Sequence, residues 1–402
     1  MNILGIMGAL GWDGNIPFDL GFIGDVWAHG AGASLIMDGV VKNAISEERF
    51  SRIKYDGNYP KLAIQKILDY NNITKDDIDL VVYVGTVAAP CKELIVTGWM
   101  NTKIKEFFPN CEVHFVSHHN AHTAATFFTS GFDEANILSF DGAGDGELQP
   151  NGQYCVPHMK FSQGKGFTLT EIHSGFCGVF PMYKGFGNYY NQYSHQVYIN
   201  KMNNMKDRRP DTPAEHHYPI IPMKEYNNPI NRETYPGKVM GLSAYGDHRN
   251  IDLPEWFTIE RERQEYKNNE WEDSFPQLVN VWAPQFPCEE ATHLDPDDLA
   301  AWLQHQFEKH LLNFLRCIPE NIKSDNLCLG GGSALNILAN SKIIEQGIYK
   351  NVHVNTAPND DGLAFGGALI LAAEKEQKLI LPDDIGYLGI TYTDEEIEAV
   401  LQ

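Results

Sequence analysis

The chain has 402 residues, 43% hydrophobic and 21% charged, the composition of a globular protein with length for two or three domain-sized units. A formal net charge of −22 disfavours broad contact with nucleic acid or anionic lipid, leaving a nucleic acid only as an acceptor substrate. Seven scattered cysteines without a C-x-x-C pair, no apolar run of membrane-spanning length and no basic, apolar leader pattern predict free thiols and a cytoplasmic location.

In chain order, residues 2–7 predict a buried strand, followed by loop residues out to Gly32. Residues 33–37 and 40–45 flank Asp38-Gly39, a two-residue hairpin signal. A helix over 60–71, a strand over 80–84, a helix near 98–107 and a strand over 113–116 complete a first half, 1–134. Residues 135–140 open a second half, 135–377, with further strands expected over 153–160 and 167–172. A helix over 296–315 has apolar residues near helical period, and then come strand 327–329, helix 334–346, strand 352–354 and helix 362–374. The repeated order of elements predicts an α/β protein with a duplicated ribonuclease-H-like, actin-like ATPase (ASKHA) fold. An insertion over about 176–290, rich in Tyr, Asn, His and Pro, reads as a cap or as substrate-facing loops. Within it Lys201, Lys206, Arg208 and Arg209 read as a solvated loop. Residues 378–402 are linker-like and end in a short acidic helix.

The chemistry-bearing residues lie at strand ends. Ser117-His118-His119-Asn120-Ala121-His122 follows the fifth-strand signal and opens a helix, so His118 and His122 share one face. Asp141 ends strand 135–140, and Gly142, Gly144 and Gly146 let the backbone approach a ligand. Two such histidines and a carboxylate suit a divalent ion; buried, hydrogen-bonded histidines at a helix start fit the same spacing. The run Gly330-Gly331-Gly332-Ser333-Ala334-Leu335-Asn336 stands between a strand and a helix, as a phosphate-binding turn or as a tight connection. Asp360 also sits before a helix, as a fourth metal ligand or as a helix cap.

Five boxes in one order carry a resemblance: 47–54 (EERFSRIK), 118–122, 141–145 (DGAGD), 237–246 (GKVMGLSAYG) and 330–336. The chain resembles the N-terminal domain of NodU/CmcH-type O-carbamoyltransferases over nearly its whole length, a domain similar to the universal tRNA threonylcarbamoyladenosine transferase subunit. The resemblance implies transfer of a carbamoyl group to a hydroxyl from carbamoyl-adenylate, itself made from ATP and carbamoyl phosphate. It implies His118, His122, Asp141 and Asp360 as metal ligands, with Fe²⁺ the expected ion and Mn²⁺ or Zn²⁺ as substitutes. Gly142, Gly144, Lys238, Gly331, Gly332 and Asn336 would serve the nucleotide. His29 and Lys54 would be catalytic, His29 beside the transferred group or the acceptor hydroxyl. The family's acid after that histidine is Gly30 here, and residues 8–28 form an insertion. Residues 388–397 resemble the lead-in to a YrdC-like domain, which is expected as a separate polypeptide or a further C-terminal part and would make the adenylate. The acceptor is a hydroxylated molecule, a natural product or a hydroxymethylated nucleobase, and a homodimer is a further expectation. Two rivals are an actin-like-fold small-molecule kinase and a non-catalytic binding partner of a carbamoylating complex.

Overall fold

The computed structural model describes residues 1–8, 30–84, 101–145, 147–148, 154–177, 185–207, 229–260, 263–265, 271–273, 275–280, 288–376 and 378–401. The chain divides into two compact units. Unit 1 comprises Met1–Asp133, Gly164–Leu169 and Asn355–Gln402; unit 2 comprises Glu134–Gln163 and Thr170–Val354.

Unit 1 opens with β1 (Asn2–Met7), β2 (Gly32–Met37) and β3 (Val40–Ser46). Asp38 and Gly39 both take positive φ, 50° and 74°, which matches the twist of the β2–β3 hairpin as the Asp-Gly signal requires. Next come α1 (Glu48–Ser51), α2 (Lys61–Tyr70), β4 (Leu80–Val84), α3 (Asn101–Phe107), β5 (Glu112–Val116) and α4 (His118–Phe128). The sheet order is β3-β2-β1-β4-β5, antiparallel through β3, β2 and β1 and parallel through β1, β4 and β5. Strands β1 and β4 are buried on both faces, so they read as unbroken apolar runs rather than alternating ones.

Unit 2 begins with β6 (Glu134–Phe140), followed by β7 (Glu147–Leu148), β8 (Tyr154–Lys165) and β9 (Thr168–Cys177). Helices α5 (Phe186–Asp207) and α6 (Pro229–Leu242) come next. Two small antiparallel ribbons follow, pairing β10 (Phe257–Glu260) with β13 (Gln277–Asn280) and β11 (Arg263–Glu265) with β12 (Trp271–Asp273). Helix α7 (Pro296–Arg316), β14 (Asn326–Gly330), α8 (Ile337–Glu345) and β15 (Asn351–Val354) complete the unit. The second sheet runs β15-β14-β6-β8-β7 with β9 on β8, and β6, β14 and β15 are parallel. Each sheet thus has a first strand with a hairpin-forming strand on one side and two parallel strands on the other.

Three expectations change. The described part of the insertion is not a set of loops: Phe186, Tyr189, Tyr190, Tyr193 and Val197 on α5 are core residues, and Tyr189 and Tyr193 stack on buried Trp256 at 5.2 and 6.0 Å. Lys201 and Lys206 lie on that helix rather than in a loop, and Lys201 Nζ pairs with Asp297 at 2.6 Å. Residues 355–377, assigned to the second half from element order, group with unit 1. The cause is helix α9 (Leu363–Glu376), whose Leu363, Ala364, Ala368, Leu369 and Ala372 pack with Ile3, Met7, Val82 and Val84 of the first sheet. The tail hydrogen-bonds along β3, Ala44 N to Leu388 O at 3.0 Å, before helix α10 (Asp394–Leu401).

Candidate functional site

The histidine pair is positioned by the contact between α4 and α9. A Cβ on Gly366 would stand 2.0 Å from the Ala121 carbonyl oxygen, so only glycine lets the two backbones meet this closely. The 3-10 turn Asp360–Gly362, immediately before α9, packs against α4 in consequence. His118 Nε2 and His122 Nε2 are 3.1 Å apart, and each lies 3.5 Å from Asp360 Oδ1. All three side chains are at most 5% exposed. His119 is equally buried, with its ring 5.6 Å from that of His118.

This donor set fits a metal. With bonds of about 2.1 Å, ligands at tetrahedral or octahedral angles stand about 3.0–3.4 Å apart, close to the spacings found here. Two imidazole nitrogens and a carboxylate oxygen converge on one point from one helix face and one turn. Asp360 is the first residue of its 3-10 turn, whose cap position belongs to Asn359, which makes no side-chain cap.

Around the triad the other expected residues of unit 1 fare differently. His29 lies outside the described residues. Gly30 follows it with φ +73°, and a Cβ there would stand 3.0 Å from both the amide nitrogen and Oδ1 of Asp361. The glycine that replaces the family's acid is therefore the residue that this close approach to Asp360-Asp361 needs. Lys54 Nζ lies 3.3 Å from both Glu48 oxygens and 4.3 Å from the Tyr55 ring centre; against the upward push of partial burial, the Tyr55 backbone N–H, donating to Glu48 Oε2 at 2.9 Å, and then this surface ion pair hold Glu48 below the usual carboxylate range. Its described partners are thus Glu48 and Tyr55, not the histidine pair.

In unit 2 the structure brings Asp141 together with the glycine run. Gly331 takes φ +89° and presses on Phe140, where a Cβ would stand 2.3 Å from the carbonyl oxygen. A Cβ on Gly332 would stand 2.9 Å from Asp141 Oδ1. On another side, a Cβ on Gly187 would stand 2.6 Å from the Asp141 carbonyl carbon. Gly187 was not singled out by the sequence reading, although Gly185-Phe186-Gly187 before an aromatic helix is a legible sign of close approach. Gly142 N donates to Asp141 Oδ1 at 2.6 Å, while Gly144 N is engaged by Pro157 O at 2.8 Å. Asp141 N donates to His158 O at 2.9 Å; burial and the neighbouring His173 push the His158 imidazole down to about 4.

Asn336 has a local role. Its Oδ1 accepts from Ala339 N at 3.1 Å, capping α8, and its amide pairs with Gln304 at 2.9 Å in both directions. Lys238 is exposed on α6.

The carbamoyltransferase N-terminus family model matches residues 88–369, well over half of the chain, and the chain belongs to that family. It is 27% identical to an uncharacterized protein of Synechocystis sp., over 93% of this chain and 61% of that protein. It is 26% identical to the nodulation protein NolNO of Sinorhizobium fredii, over 88% of this chain and 48% of that protein. The chain therefore spans about half to three-fifths of the length of these relatives. Full-length HypF, solved in a phosphate- and nucleotide-bound form, aligns at 14% identity and a TM-score of 0.47, over 87% of this chain and 46% of HypF.

Proposed function

We propose that the chain is the transfer domain of a metal-dependent O-carbamoyltransferase, built as a duplicated actin-like fold, which moves a carbamoyl group from carbamoyl-adenylate to a hydroxylated acceptor. The observation that carries this reading is the buried convergence of His118, His122 and Asp360 in a chain of this family. Asp141, at the tip of β6, is the fourth ligand of the proposal on the strength of its sequence box. A divalent ion held there, Fe²⁺ first and Mn²⁺ or Zn²⁺ as substitutes, supplies a Lewis acid for the carbamoyl carbonyl oxygen. His29 receives the acceptor's proton as the hydroxyl oxygen attacks the carbamoyl carbon and AMP leaves, and Lys54, paired with Glu48, is the second catalytic residue of the proposal. Gly142, Gly331 and Gly332 offer backbone to the phosphate, with Gly144 and Asn336 shaping the turns behind them and Lys238 as the cation. The adenylate comes from a YrdC-like partner domain in trans, and a second copy of the chain is a further partner.

Mass spectrometry of carbamate ester formed from preformed carbamoyl-adenylate and simple alcohols tests the reading. Wild type should give product, and Asp360→Asn should reduce it by roughly 10²-fold or more, the scale of losing one electrostatic stabiliser. Equal product from both would remove the triad from the chemistry.

A further inference from the structure

Behind the glycine run lies a buried chain of polar side chains of which the proposed reaction uses only Asn336. Tyr190 Oη, on α5, donates to Gln304 Oε1 at 2.8 Å. Gln304, on α7, exchanges two hydrogen bonds with Asn336, each of 2.9 Å. The Gln304 amide also donates to Glu308 Oε1 at 2.8 Å, and Glu308 Oε2 is ion-paired with Lys342 on α8. Each polar atom of the Gln304 amide has two partners, so its hydrogen-bonding capacity is full.

Burying these groups costs desolvation, offset only because the network is complete. Gln304, Glu308 and Asn336 are all buried, as is Tyr190, whose hydroxyl burial keeps protonated. The chain of bonds ends at the residue that closes the glycine turn, since Asn336 both ends the run and caps α8. It starts one turn beyond Gly187, whose backbone rests on Asp141. Helix α5 therefore touches Asp141 with one residue and the far side of the glycine turn, through Gln304, with another.

We infer that Tyr190, Gln304 and Asn336 form a positioning relay that holds the Gly331-Gly332 turn in register with the Asp141 strand end. Helix α5 then sets the shape of a phosphate site without contacting its ligand. The ligand's identity rests on the reading given under Proposed function; the relay itself is a claim about the turn.

The matched control is Ser194, also buried on α5, whose Oγ donates to the Tyr190 carbonyl at 2.7 Å and leads no further among the described residues. Tyr190→Phe and Ser194→Ala each delete one buried hydroxyl bond, so both should lower the melting temperature comparably. Only Tyr190→Phe should loosen the turn. Amide hydrogen exchange reads this directly, because Ala334 N and Asn336 N are bonded within the turn, to Gly331 O and Ser333 O. We expect exchange across residues 331–336 to rise about fivefold in Tyr190→Phe and to stay within about twofold in Ser194→Ala, a fivefold change being near 1 kcal/mol. Calorimetry with ATP and Mg²⁺ on the full chain should show about fivefold weaker binding in Tyr190→Phe alone. Equal exchange in the two variants would overturn the relay. Faster exchange in Tyr190→Phe with no ATP binding by wild type would support the relay and strike out the nucleotide reading.

Discussion

His118 and His122 have little rotational choice, because every residue of α4 from His118 to Phe127 except Asn120 is buried. Their Nε2 atoms are therefore presented together or not at all. Loss of one imidazole should empty the site rather than weaken it, since a site of three or four ligands does not hold a borderline cation well with one fewer. Elemental analysis of purified wild type should find about one divalent ion per chain, and of His122→Ala below about a tenth of that. Circular dichroism should stay native in the variant, as α4 is held by its other buried residues. Full occupancy in His122→Ala would refute the ligand set. The spacing of this pair was readable from sequence because four residues is one helical turn. Asp360 was readable as an acid before a helix, but not its meeting with the pair, which depends on the close approach at Gly366. The use of Asn336 was hidden for the same reason: its partner Gln304 is 32 residues away, and on a helix of apolar period it reads as a surface residue.

At the scale of elements, α7 shows how far periodicity carries. Its apolar stripe predicted a helix over 296–315, and the helix runs Pro296–Arg316, with Asp295 Oδ1 capping Asp297 N and Asp298 N and Pro at its start. What periodicity missed is that several polar residues of this helix are also buried, His310 among them. His310 Nε2 meets Gln306 Oε1 at 3.0 Å, with Phe257 edge-on at 5.4 Å and Trp256 beside it. Burial pushes its pKa from 6.5 down to about 4. A depressed histidine makes the unfolded chain bind protons more tightly, so its stabilising effect is whole above pH 6.5 and is lost as pH falls towards 4. Between pH 7 and 4.5 this residue alone should cost about 2 kcal/mol. Denaturant unfolding at the two pH values should show a loss smaller by about that amount in His310→Gln. An identical pH response in wild type and variant would mean that His310 titrates normally. The insertion misled for a related reason. Its tyrosines and asparagines lack a clean helical stripe, yet aromatic stacking on Trp256 gives α5 a core face that hydropathy undervalues.

For the whole molecule, the order of strands and helices along the chain was legible because β-branched runs, the Asp-Gly hairpin and glycine-bearing turns are local signals, while the strand order within each sheet and the grouping of α9 with the first sheet are long-range packing outcomes. No helix among the described residues is long and apolar enough to cross a membrane. The matched family is an N-terminal one, and the chain spans about half to three-fifths of the length of these relatives, so the two steps of the proposed reaction, activation and transfer, are tested separately. Joining ATP to carbamoyl phosphate brings two polyanions into line and needs its own group of cations. Within the five boxes the basic side chains of lysine and arginine are Arg49 and Lys54, both paired with Glu48, and the exposed Arg52 and Lys238. The tail's α10 carries Asp394, Glu395 and Glu396 in its first turn and no basic residue in its last. This chain with ATP and carbamoyl phosphate should therefore yield carbamate ester at no more than about a hundredth of the rate seen with preformed carbamoyl-adenylate, since charge stabilisation of that kind is worth about 3 kcal/mol. Adding a YrdC-like domain in trans should restore the rate from ATP and carbamoyl phosphate. Mass spectrometry of each combination, with adenylate quantified alongside ester, separates the two steps. Comparable ester from ATP and carbamoyl phosphate alone would show that one chain performs both, with its second phosphate site outside the boxes considered.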